Sequence, residues 1–197
     1  RMKVSCHRMV ALTNQLLAYA RGGRYKPKRL SLTDFLQGTL PVLAHIIEAS
    51  IDLETDLAED AWEVEADETQ LQMVLSALLK NASEAIEKEG VIRLKVTNQS
   101  VDQQHSEQFN GFRPGRYACL SVEDTGHGMD EETRKKAFEP FFTTKFPGRG
   151  LGLAAAFGIV KNHHGWIYLS SEPDRGTTVR IFLPAVESEL EKTGKEM

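Results

Sequence analysis

The residues Asp124-Thr125-Gly126-His127-Gly128-Met129 set a carboxylate directly after a strand-forming run, Tyr117 to Glu123, and follow it with two spaced glycines. A glycine turn after a strand is common and carries little alone. Its chemistry is nonetheless specific. A carboxylate fixed at a strand end accepts a hydrogen bond from an amino group such as that of adenine, and a bond to a charged group contributes about 1.5–3 kcal/mol. Glycines let the backbone approach a flat base and adopt positive φ. A second candidate is Asn81, within Leu78-Leu79-Lys80-Asn81-Ala82-Ser83-Glu84-Ala85. Asparagine is a mediocre helix former, and a solvent-facing one would be incidental. Leu78, Leu79, Ala82 and Ala85 put this one at the edge of an apolar face. A carboxamide oxygen there suits Mg²⁺, which takes one or two protein oxygens beside waters and substrate phosphates.

Phe138-Glu139-Pro140-Phe141-Phe142-Thr143-Thr144-Lys145 leads, a few residues on, into Gly148-Arg149-Gly150-Leu151-Gly152-Leu153. The aromatics are expected to anchor a loop by burial. Lys145 and Arg149 bring positive charge to it, and the glycines hinge it into a helix. A helix start presents free N–H groups and a positive dipole end to phosphate. No GxxxxGK[ST] occurs, so this is not the Walker phosphate loop. Gly176-Thr177-Thr178 precedes the last strand. It reads equally as a hairpin turn with strand-forming threonines or as hydroxyls supporting adenine or the Asp124 carboxylate.

These groups need elements to hold them. Asp67 begins a long helix with Leu71, Val74, Leu75, Leu78, Leu79, Ala82 and Ile86 on its apolar side, stopped by Gly90. Ile92, Leu94 and Val96 alternate with Arg93, Lys95 and Thr97 as a half-buried strand. Strands are also expected over Ile47 to Leu57, Ala61 to Glu65, Tyr117 to Glu123, Trp166 to Ser171 and Thr177 to Leu183. Ser31 caps a helix from Leu32 to His45, which Pro41 kinks or breaks. A short helix starts after Asp130, and another runs from Leu151 to His163. Strands and helices mix without a βαβ repeat. The expected class is α+β, a two-layer sandwich with helices on one face of a mixed sheet.

Ahead of this unit, residues 1–23 read as a helix. Met2, Met9 and Leu16 in one heptad row and Ser5, Leu12 and Tyr19 in another give it a largely apolar stripe. Residues 24–30 form a basic linker containing Pro27, residues 31–186 the main domain, and residues 187–197 a charged, aperiodic tail. The stripe suits a dimeric bundle better than packing on the same domain. The chain has 197 residues, a formal charge of −4, 41% hydrophobic and 26% charged residues. This balance gives no support for nucleic-acid or membrane partners. Cys6 and Cys119 are far apart and outside any CxxC pair, so they read as free thiols. The start at Arg1 is expected of a piece of a longer protein.

In this order and spacing the motifs resemble the nucleotide boxes of the Bergerat-fold ATPases, most closely the histidine kinases. Asn81 is similar to the magnesium asparagine of the N box. Asp124, Gly126 and Gly128 resemble the first glycine box, Phe138 to Lys145 the phenylalanine box, and Gly148, Arg149, Gly150, Leu151 and Gly152 the second glycine box. The phenylalanine run looks like that of nitrogen-regulator-type and hybrid sensor kinases. Leu12 to Arg21 resembles the second helix of the dimerisation and phosphoacceptor hairpin.

The resemblance implies ATP and Mg²⁺ as ligands, with Asn81 as metal ligand, and with Asn81, Lys145 and Arg149 in catalysis. Asp124, Gly126, Gly128, Thr177 and Thr178 would surround the base, and Lys145, Gly148, Gly150, Leu151 and Gly152 the phosphates. It implies transfer of the γ-phosphoryl group to a histidine outside this chain. It also implies a response-regulator receiver domain as partner, a homodimer through the N-terminal helix, and a cytoplasmic location. One turn before its magnesium asparagine the family carries Asn, or Glu in hydrolases. Ala77 stands there, which argues against the hydrolysing branches. His7 lacks the acidic neighbour typical of the phosphoacceptor, His163 and His164 stand at a helix end, His127 lies in the glycine turn, and His45 and His105 have no supporting context, so all six read as structural or incidental. The alternatives are a pseudo-kinase that binds nucleotide as a signal, and an anti-sigma-type serine kinase, which would need a base near Asn81.

Overall fold

The computed structural model describes residues 25–103, 113–144 and 150–186. Strand β1 (Lys28–Leu30) leads into helix α1 (Leu32–Leu43), a 3₁₀ turn (Ala44–Ile46), β2 (Ile51–Leu57), β3 (Val64–Ala66) and helix α2 (Glu68–Ala85). Then follow β4 (Gly90–Val101), β5 (Gly115–Asp124), the short α3 (Glu131–Lys136), α4 (Gly152–Asn162), β6 (Trp166–Ser171) and β7 (Thr177–Pro184). The main sheet has five strands in the order β2-β4-β5-β7-β6. Only β2 and β4 run parallel, so the sheet is mixed and the class α+β, as the sequence pattern predicts.

Alternation decides which face is covered. Leu94, Val122, Val179 and Leu169 are cross-strand neighbours in one row of the sheet. All four are buried, and they share one core with Leu36 of α1, Leu75 and Leu79 of α2 and Val160 of α4. Leu75 and Leu79 are fully enclosed. Truncating either to alanine removes about 2–5 kcal/mol.

Local chemistry moves several boundaries. Asp67 caps α2, its Oδ1 accepting from Gln70 N at 3.1 Å. The helix ends at Ala85, well before Gly90, because the glycine turn after β5 supplies a foreign donor: His127 N–H bonds the Ala85 carbonyl at 3.0 Å. Gly90 instead opens β4. Helix α1 passes through Pro41, which has no N–H to give the Gln37 carbonyl, and ends two residues later at Leu43. Its carboxy-terminal side becomes the 3₁₀ turn, and residues 47–50 then turn the chain, so the strand expected from Ile47 starts at Ile51. The strand expected over Ala61 to Glu65 narrows to Val64–Ala66, paired with β1 in the segment read as linker. The helix expected over residues 1–23 and the tail expected over residues 187–197 lie outside the described residues.

Candidate functional site

Helix α2 and the turns after β5 and β6 converge at one end of the sheet. Asp124 is the last residue of β5, and its side chain is 7% exposed. Its Oδ1 accepts from Gly126 N at 2.9 Å and from Thr177 N at 3.2 Å. Two N–H donors on one oxygen fix the carboxylate's orientation, as a base-recognising group requires. The sequence suggests a role for Thr177 through its hydroxyl, but its backbone N–H does the holding. Ser171 Oγ donates to Gly176 O at 3.0 Å, which uses its only hydrogen. The Thr177 hydroxyl therefore donates to Ser171 Oγ, at 2.9 Å. Nothing in the sequence singles out Ser171, because a strand serine gives no signal of its own. Thr178 pairs across from Glu123 and lies on the reverse face of the sheet from Asp124 and Thr177.

The glycines are required by backbone contacts. A Cβ on Gly126 would lie 2.5 Å from Ala85 O, so this residue seats the turn under the end of α2. Gly128 has φ +64, and a Cβ there would fall 1.9 Å from Glu172 O. On the other side, Asp174 N donates to His127 O at 2.8 Å. The turn after β5 and the turn between β6 and β7 are thus interlocked backbone to backbone.

Asn81 is half-buried on α2, one turn beyond Ala77 and on the same side of the helix. Helix α4 starts over that side: a Cβ on Gly152 would lie 3.6 Å from Ala77 Cβ. The first N–H groups of α4 and the Asn81 carboxamide therefore share one region. Leu151 is the residue before α4, and Gly150 has φ +116. Phe141 N donates to Gly150 O at 2.9 Å, which joins the two ends of the basic loop. Lys145, Gly148 and Arg149 lie outside the described residues. Of the aromatics, Phe138 is half-buried, packs against the core and sits 5.5 Å from the Phe157 ring. Phe141 does not anchor by burial. It is 62% exposed with φ 69, because its backbone is turned to meet Gly150.

His163 terminates α4 and is 3% exposed, and His164 has φ 56. His127 lies in the glycine turn with Nδ1 2.7 Å from Gly128 O, and His45 Nδ1 lies 2.8 Å from Val42 O. His7 and His105 lie outside the described residues. Cys119 is a buried free thiol whose pKa burial pushes up to about 11. Among the described residues there is no cluster of His, Cys, Asp or Glu able to hold a metal ion. Nor is any helix among them long and apolar enough to cross a membrane.

A buried, doubly anchored aspartate whose turn seats under the end of α2, with a helix start over Ala77 of the same helix, makes a candidate nucleotide site on a mixed sheet. The histidine kinase-, DNA gyrase B- and HSP90-like ATPases match residues 66–187, and the chain belongs to this family. Within it the chain is a domain of the histidine kinase type. It is 37% identical over 95% of its length to the sensor kinase CckA of Brucella abortus (strain 2308), and it spans 20% of that protein. The catalytic domain of the histidine kinase ThkA is 26% identical, with a TM-score of 0.64, over 81% of this chain and 96% of that one. ThkA in complex with the response regulator protein TrrA has a TM-score of 0.71 at 22% identity, covering 93% of this chain and 49% of that one. At that identity the likeness concerns the fold.

Proposed function

We propose that this chain binds ATP with Mg²⁺ and supplies the catalytic site of a two-component sensor histidine kinase, of the nitrogen-regulator or hybrid kind. The observation that carries this reading is the Asp124 carboxylate, buried and held by Gly126 N and Thr177 N. Asp124 accepts the adenine amino group. Thr177 acts through its N–H, and Gly126 and Gly128 keep the turn closed. The N–H groups from Gly150 to Leu153, leading into α4, receive phosphate at the positive end of the helix. Lys145 and Arg149 add charge from the loop, with Gly148 as its hinge.

The residues present fit a magnesium ion. Asn81 offers one neutral oxygen next to the phosphate-facing helix start, and a metal that keeps most of its waters needs no carboxylate cage. When bound, the ion neutralises charge on the phosphates. Ala77 offers neither acid nor base one turn from Asn81, which suits a reaction whose nucleophile is a neutral imidazole. Positioning and charge neutralisation then supply the catalysis. The acceptor histidine belongs to a dimerisation hairpin of the parent protein. The phosphoryl group passes on to an aspartate of a response-regulator receiver domain in the cytoplasm.

The test is to mix the chain with a dimerisation hairpin carrying an acceptor histidine and to supply ATP labelled at the γ-phosphate. Transfer should yield acid-labile, base-stable label on the hairpin, lost in Asn81→Ala. Saturable ATP binding with no such label on any hairpin tried would overturn the kinase reading.

A further inference from the structure

Helices α2 and α4 run antiparallel, and α4 meets α2 at both of its own ends. At one end Gly152 sits over Ala77. At the other, Asp67 N–H donates to His163 Nε2 at 2.9 Å. The opposite ring nitrogen, Nδ1, lies 2.7 Å from Ile159 O. A carbonyl only accepts, so Nδ1 carries the proton and Nε2 receives the Asp67 N–H. The imidazole is neutral and both its nitrogens are used. His163 thereby ties the cap of α2 to the last turn of α4.

The chain entering the domain is fastened to the same two residues. The Tyr25 ring stands edge-on to the His163 ring at 5.1 Å. Lys26 N donates to Asp67 Oδ2 at 2.9 Å, while Oδ1 of that carboxylate caps α2. From Lys28 the strand β1 pairs with β3, Lys28 opposite Ala66. Whatever precedes Tyr25 in sequence is therefore connected first to the His163–Asp67 pair. That pair holds one end of α4, an 11-residue helix whose other end begins at Gly152.

We propose that His163 is a positioning residue for the nucleotide site. It couples the segment entering at Tyr25 and Lys26 to α4, so that release of this fastening unseats Gly152 from Ala77 and weakens phosphate binding at the helix start. A packed helix of this length moves as a rod of about 16 Å, so displacement at His163 is felt at Gly152. The inference deepens the ATP-site reading and rests on it for its functional consequence, though not for its structural one.

The experiment uses the whole 197-residue chain with Tyr25→Ala, which deletes a ring that is already 42% exposed. Tyr25→Phe keeps the ring as the control, and Lys26→Pro, which removes the N–H donor, is the independent second variant. Amide exchange without nucleotide should accelerate at least about fivefold at the first hydrogen-bonded amides of α4, residues 155–158, in Tyr25→Ala and Lys26→Pro. Affinity for a non-hydrolysable ATP analogue should fall at least about threefold in the same two variants. Tyr25→Phe should match the wild type in both. Faster exchange confined to residues 25–30 and the start of α2, with α4 and affinity unchanged, would overturn the proposal. If the wild type binds no analogue, the ATP reading fails while exchange at α4 still decides the coupling.

Discussion

Replacing Gly176 by alanine tests the interlocked turns on which the base site stands. Gly176 has φ +82, and a Cβ there would lie 1.9 Å from Asp124 O and 2.8 Å from Asp124 C. Both neighbours are backbone, so no side chain can swing aside. A left-handed alanine costs about 1–2 kcal/mol before any overlap. Relief of the overlap must move residue 176 away from Asp124 and draw Thr177 with it. That removes the 3.2 Å bond from Thr177 N to the buried carboxylate, whose loss costs about 1.5–3 kcal/mol. The sum is a destabilisation of about 2.5–5 kcal/mol, read as a lower urea midpoint at unchanged slope. Gly38 is the internal control. It lies in α1, and a Cβ there would meet nothing within 4 Å, so Gly38→Ala should stabilise by about 0.5–1 kcal/mol. A Gly176→Ala protein within about 1 kcal/mol of wild type would refute the close-approach argument.

Further outcomes follow from the same geometry. Burial pushes the Asp67 pKa up, but hydrogen bonds from the Lys26, Gln70 and Thr69 N–H groups outweigh it and hold the carboxyl below its ordinary value of 3.8. A depressed folded value means stability that is present above the unfolded pKa and lost as pH falls through the folded one. Asp67→Asn keeps a capping oxygen but not the charge. It should be less stable than wild type at neutral pH, with the gap closing only below the ordinary carboxylate value; a gap constant with pH would contradict this. Asn81→Ala should abolish the tightening of nucleotide binding by Mg²⁺ in calorimetry. Undiminished tightening would put the metal ligand elsewhere.

Much of the site was legible because its residues are unusual for their surroundings: an aspartate closing a strand, an asparagine at the edge of an apolar helix face, glycines opening a helix. The sheet strands were legible from alternation, as in Ile92, Leu94 and Val96. What escaped was set by partners distant in sequence. The α2 terminus is decided by His127 N–H, so Gly90 is a misleading stop signal. Strand β1 exists because β3 lies beside it, and a basic triplet after a proline carries no strand signal. The anchoring of Asp124 by the Thr177 N–H, with the hydroxyl turned to Ser171, follows from strand register that residue types do not encode. The exposure of Phe141 follows from its bond to Gly150, whereas its sequence context suggests burial.

The most direct test of the central claim is a calorimetric titration with a non-hydrolysable ATP analogue, with and without Mg²⁺, beside Asp124→Asn. In the variant, the carboxamide oxygen can take over the bonds from Gly126 N and Thr177 N. That leaves an NH₂ facing the adenine amino group, donor against donor. Saturable binding by the wild type and a loss of about ten- to a hundredfold in the variant is the predicted result. Equal affinity in the two proteins, or no binding by the wild type, would contradict the assignment of Asp124 as the base-recognising residue.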